Sequence, residues 1–136
     1  MKNLEKIIFP AKEQKRILEH FKKYVNAKIL PDNNIEAIIL SGSLLKGKMA
    51  KYKKFQKFTW YKRLYSDIDL ALYVKDKFKP KKHWKFMGKN RYVRFYRISV
   101  FEKKFPVICW VIKAKYLKKL GFSWKSDRKQ KFIYKK

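Results

Sequence analysis

Residues 66–74 read Ser-Asp-Ile-Asp-Leu-Ala-Leu-Tyr-Val. The run Ile68–Val74 is apolar, of strand length, and predicts a buried strand. Residues two apart on a strand share a face. Asp67 and Asp69 therefore project together, and Ile68 points into the core. Upstream, Ile35–Leu40 is a short β-branched run that predicts another buried strand. Ser41-Gly42-Ser43 breaks it, and Leu44 to about Tyr52 can form a helix despite Gly47. Pro31-Asp32-Asn33-Asn34 signals a turn. Before it, Ile17, Leu18, Phe21, Val25 and Ile29 recur at three- and four-residue steps. That stripe predicts a helix over 11–28, opened by Pro10.

Downstream, Lys75–Asn90 reads as a loop with Pro80 and Gly88. Tyr92–Phe101 reads as a strand, Glu102-Lys103-Lys104 as a turn, and Phe105–Ile112 as a returning strand. Ala114–Leu120 looks helical and stops at Gly121. The tail from Phe122 is basic, with Trp124, Phe132 and Tyr134 available for docking. This order predicts a single α+β (α/β two-layer) domain over 1–136: a small mixed sheet with helices on one face.

The chain has 136 residues, 38 Lys or Arg and 10 Asp or Glu, for a formal charge of +28. Hydrophobic residues at 46% exclude a disordered polycation. The single cysteine, Cys109, excludes an internal disulfide and reads as a core residue. With only His20 and His83 beside it, a Cys/His zinc site is not expected. No apolar run approaches the ~20 residues that span a bilayer, and Met1-Lys2-Asn3-Leu4-Glu5 is not the apolar start of a secretion signal. A cytoplasmic protein is the expectation. Nucleic acid, an acidic protein or an anionic membrane would suit the charge. Lysines spread along the whole chain speak against a membrane-bound amphipathic helix and for nucleic acid or nucleotide phosphate. Alternatively, the lysines solvate the surface, as in thermophile-like compositions.

The chemistry lies in two short motifs. Two carboxylates on one strand face repel unless a cation joins them, and their oxygens suit Mg²⁺ or Mn²⁺, with substrate phosphates completing the shell. The other reading has Ser66-Asp67 capping a turn and Asp69 paired with a lysine. Gly42-Ser43, between a strand and a helix, can cradle phosphate, with Lys46 adding charge, or can be an ordinary capped loop.

Taken together, IILSGSLLKGKM and YSDIDLALYV resemble the DNA polymerase β-like nucleotidyltransferase superfamily, and most closely its minimal single-domain members. The resemblance covers about Ile35–Val74 well and the hairpin after Tyr92 loosely. It implies a nucleotidyltransferase-like fold. Gly42, Ser43, Lys46 and Ser66 would bind a nucleoside triphosphate, first of all ATP. Asp67 and Asp69 would carry Mg²⁺ or Mn²⁺ and the catalysis. It also implies that a separate partner protein can accompany the domain.

The chain departs from that pattern twice. Between Ser43 and Asp67 the spacer is about twice the length usual in the family. The surplus, a basic insertion near 51–63, interleaves lysines with Tyr52, Phe55, Phe58, Trp60 and Tyr61. It can contact RNA or DNA, or it lengthens the helix and packs its aromatics on the core. The family's third carboxylate is expected near Ile108 or Cys109, and neither is acidic. Glu102, at the hairpin turn, is the candidate substitute. Three functions follow: a nucleotidyltransferase; a degenerate relative that binds RNA or DNA without catalysis; or a structural basic protein in which the motif is accidental. Trp84 and Trp124 could stack a base but read first as packing anchors, and His20 and His83 read as packing or surface residues.

Overall fold

In the computed structural model, residues 6–57, 62–116 and 131–135 are described in backbone, and all of these except 55–57, 62–63 and 131–135 in side chain. The chain is an α+β protein, mostly strand, with two sheets rather than the single one expected. No helix among the described residues is long and apolar enough to cross a membrane.

Helix α1 (Ala11–Lys28) occupies the residues that its apolar stripe predicts. Ile17, Phe21, Val25 and the following Ile29 are fully buried, and each such side chain contributes roughly 1.5–3 kcal/mol through area removed from water. The stripe begins one turn earlier at Gln14, whose polar end is also buried. Its amide nitrogen donates to the carbonyls of Phe9 (3.0 Å) and Met49 (2.8 Å), and its Oε1 accepts from the Met49 N–H at 2.9 Å. Asp32 Oδ1 accepts from the Asn34 N–H at 2.8 Å, fixing the turn after the helix.

The main sheet contains β2 (Ile35–Ser41), β5 (Ile68–Val74), β6 (Lys85–Lys89), β7 (Val93–Phe101), β8 (Phe105–Lys113) and β9 (Lys131–Lys135). Their order is β6-β7-β8-β5-β2-β9. Among the described strands only β5 and β8 run parallel; the other neighbours are antiparallel. One face carries Ile38, Leu40, Ile68, Leu70, Leu72, Val107 and Cys109, packed in one core with the α1 stripe. The other face holds a smaller cluster of Ala37, Ile39, Tyr73, Val93 and Ile112. Period-two alternation thus sends Asp69 to the face away from α1.

The stretch Leu44–Tyr52 is not a helix. Helix α2 is a single turn, Ser43–Lys46, because Gly47 adopts φ 68° and ends it with a left-handed cap. The chain then enters β3 (Ala50–Lys57), which pairs with β1 (Lys6–Ile8) and β4 (Lys62–Tyr65) in a three-stranded antiparallel sheet. The long spacer is therefore a β-hairpin and not an extended helix. Tyr52 within it is buried; Phe58, Trp60 and Tyr61 lie outside the described residues. An aromatic cluster joins the two sheets: Tyr65 meets Phe105 edge-on at 5.5 Å, and Phe9 lies 6.1 Å from Phe105.

Two further elements differ from expectation. β6 lies inside the stretch read as a loop; a register shift between Phe86 and Gly88 breaks its alternation. The segment after β8 begins as a 3₁₀ turn, Ala114–Tyr116, and Leu117–Leu120 and Trp124 fall outside the described residues. The basic tail does return to the protein: β9 pairs with β2, Tyr134 opposite Ile38 and Phe132 opposite Ile39.

Candidate functional site

β2 and β5 run antiparallel with Ser41 opposite Asp69. This register brings the Ser41-Gly42-Ser43 turn against the aspartate. Gly42 has φ 77°, and a Cβ added there would fall 2.8 Å from Asp69 Oδ2. Glycine is thus required twice, by its backbone angle and by the carboxylate packed on it. Ser43 and Lys46 follow in α2, where the N–H of Lys46 bonds the Gly42 carbonyl at 3.1 Å and that of Lys48 the Ser43 carbonyl at 2.8 Å. Buried Leu44 anchors the turn, and the Lys46 side chain is exposed.

Asp67, just before β5, and Asp69 within it are both half-buried and line one cleft of about 480 Å³. Both also take part in further interactions within the chain. The rest of the lining was not legible as a site. β8 contributes Ile108 and Trp110, β7 contributes Phe95, and β6 provides a lip of Met87, Gly88 and Lys89. Trp110 is 45% exposed and meets the Phe95 ring edge-on at 5.4 Å. One signal was present. Trp110 stands two residues beyond Ile108, so its spacing alone puts it on the strand face where the third carboxylate is expected.

The parallel register of β5 and β8 sets Ile108 beside Asp69 and Cys109 beside Leu70. Ile108 therefore stands where a third carboxylate was expected. Among the described residues no group of three or more His, Cys, Asp or Glu gathers as a metal cluster. Glu102 instead faces α1. Its two oxygens accept from Arg16 at 2.9 and 3.0 Å, and His20 Nδ1 lies 2.6 Å from Oε2. The Arg16 bonds hold the Glu102 carboxyl below its ordinary value, partial burial opposes them, and His20 reinforces them.

Ser66 was expected to touch nucleotide, but it is 1% exposed and turned inward. Its Oγ accepts from the Ala50 N–H at 2.9 Å and donates to the Ala50 carbonyl at 3.3 Å. These bonds tie the link between β4 and β5, next to Asp67, to the start of β3. Cys109 is fully buried, and burial pushes its thiol far above the ordinary range, as suits a core residue. Trp84 packs against Phe78 and Tyr96, as an anchor should.

The arrangement can therefore offer two carboxylates, a tight glycine turn with a hydroxyl and a lysine beyond it, and an aromatic wall. Compared with known proteins, the chain matches no protein-family model, and no curated protein is significantly similar to it.

Proposed function

We propose that the protein is a metal-dependent nucleotidyltransferase, moving a nucleoside monophosphate from a triphosphate, ATP first, to a hydroxyl acceptor. The observation that carries this reading is the contact between Gly42 and Asp69, with Asp67 and Asp69 opening on one cleft. A cleft of about 480 Å³ is within the size range of small-molecule sites.

Two carboxylates fit Mg²⁺ or Mn²⁺ when substrate phosphates supply the remaining oxygens. Asp67 and Asp69 would hold the ion. When bound, it would neutralise triphosphate charge and favour the ionised form of the attacking hydroxyl. The Ser43 hydroxyl would donate to a phosphate oxygen, and Lys46 would add positive charge. Gly42, lacking a Cβ, leaves room for Asp69 at that turn. Phe95 and Trp110 would shelter the base and exclude water. The acceptor hydroxyl would give up its proton to solvent, its oxygen would bond the α-phosphorus as the α–β bridging P–O bond breaks, and pyrophosphate would leave with that bond's electron pair. Positioning and charge neutralisation would supply most of the rate.

Ile108 beside Asp69 favours a second reading: a nucleotidyltransferase-like protein that binds nucleotide or nucleic acid without transfer. Calorimetric titration of ATP with Mg²⁺, followed by a pyrophosphate-release assay, separates the two. The enzyme requires that Asp67→Asn and Asp69→Asn each weaken Mg²⁺-dependent ATP binding at least about tenfold. Binding indifferent to both substitutions overturns the proposal. Binding that depends on both aspartates, with no pyrophosphate released to oligonucleotide or protein acceptors, selects the second reading.

A further inference from the structure

A second cavity, of about 620 Å³, opens at the opposite end of β5 and β8, where Val74 and Lys113 close the strands. Among the described residues, Lys75, Lys89, Arg91, Arg94 and Lys113 line it, against one carboxylate, Asp76. That carboxylate is already engaged: Lys115 lies 3.3 Å from it and Lys113 4.0 Å. The wall is also aromatic. Tyr92 and Tyr116 meet edge-on at 5.3 Å, and the Arg91 guanidinium lies 5.3 Å from the Tyr92 ring centroid.

We infer that this cavity is a binding site for single-stranded nucleic acid. Its cations hold phosphodiester oxygens, and its tyrosines take unstacked bases. A ligand of phosphate alone would need no aromatic wall. A duplex is too broad to enter, and its bases are already stacked on each other. An anionic lipid surface is met by a basic amphipathic helix, whereas strand ends and loops supply most of the lining here. The site does not depend on the carboxylate cleft being catalytic. The two adjoin, because Lys89 lines both.

The test is fluorescence anisotropy of the full chain with labelled single-stranded RNA, single-stranded DNA of the same sequence, and the corresponding duplex, over a salt series. Exposed Arg91 and Arg94 are replaced together by Gln. The control replaces exposed Lys12 and Lys15 of α1 by Gln, an equal change in charge. The site predicts preference for single strands and about tenfold weaker binding in R91Q/R94Q, with a shallower salt slope. The control should change affinity less than about threefold. Tyr116→Leu should weaken single-strand binding about tenfold with the salt slope unchanged. The RNA and DNA arms show whether the 2′-hydroxyl is read. Equal losses in the two double variants, duplex preference or no binding each overturn the site. Asp67→Asn should leave this binding intact, so its failure and that of the catalytic reading are distinguishable.

Discussion

Ile108 stands beside Asp69 in the parallel ladder between β5 and β8, and both line the same cleft. The two side chains share a sheet face, and one is a carboxylate where the other is a branched hydrocarbon. Ile108→Asp would complete a three-carboxylate set. Without metal, the new charge should cost on the order of 2–3 kcal/mol of stability. Millimolar Mn²⁺ should recover about 1–3 kcal/mol of it in the variant and less in the parent. Urea unfolding with and without Mn²⁺ measures both. No metal response in the variant would show that the three positions do not converge on one ion.

Gly42 is constrained by its backbone angle and by Asp69. Gly42→Ala should cost about 1–3 kcal/mol. Part of that penalty belongs to the carboxylate, so it should shrink by at least about 0.5 kcal/mol in an Asp69→Ala background. A double-mutant cycle in urea reads the coupling. Strict additivity would assign the whole cost to the backbone.

Gln14 satisfies three backbone groups of Phe9 and Met49 from the buried end of α1. Gln14→Leu fills a similar volume but leaves them without those bonds. The expected loss is about 2–3 kcal/mol, visible as a lower urea midpoint at unchanged slope. A neutral result would mean that these groups find water or shift to new partners.

Glu102 titrates below its ordinary value of 4.5 because of Arg16 first and His20 second. A carboxyl with a depressed folded-state value contributes stability above about pH 4.5 and loses it as pH falls through the folded value. Glu102→Gln should therefore flatten the acid limb of the stability profile below about pH 4.5. The difference between parent and variant should be largest and constant above that pH, and salt should reduce it. Identical acid limbs would remove Glu102 from the account of acid unfolding.

Much of this architecture could be read from side-chain spacing. α1, β5 and most of β2, β7 and β8 announce themselves through three-to-four-residue or two-residue periods, because each buries one face or both. The carboxylate pair was legible for the same reason: Asp67 and Asp69 flank a core isoleucine on a strand. What failed depended on contacts distant in the chain. Nothing local says that Gln14 and Ser66 will clasp Met49 and Ala50 and send the chain from Ala50 onward into strand rather than helix. Lys51 and Gln56 sit on either side of a register shift, which removes the alternation that would have revealed β3. β6 is an edge strand with little burial and a bulge, so Met87 and Lys89 could not be foreseen as the lip of a cleft. Glu102 looked free to approach the aspartates because its partners, Arg16 and His20, lie more than eighty residues away along the chain.

The pairing of β9 with β2 also governs how the chain must behave during synthesis. β2, α1 and β5 leave the ribosome well before Lys131–Lys135, so the outer edge of β2 is open while most of the core can already assemble. That edge belongs to Ile38, Ile39 and Leu40, a sequence apt to recruit a strand from another chain. Until β9 arrives, the lysine-rich character of the nascent protein, through mutual repulsion, is the main guard against such encounters. Shortening the chain before residue 131 would therefore be expected to appear first as association between molecules and only later as loss of the fold.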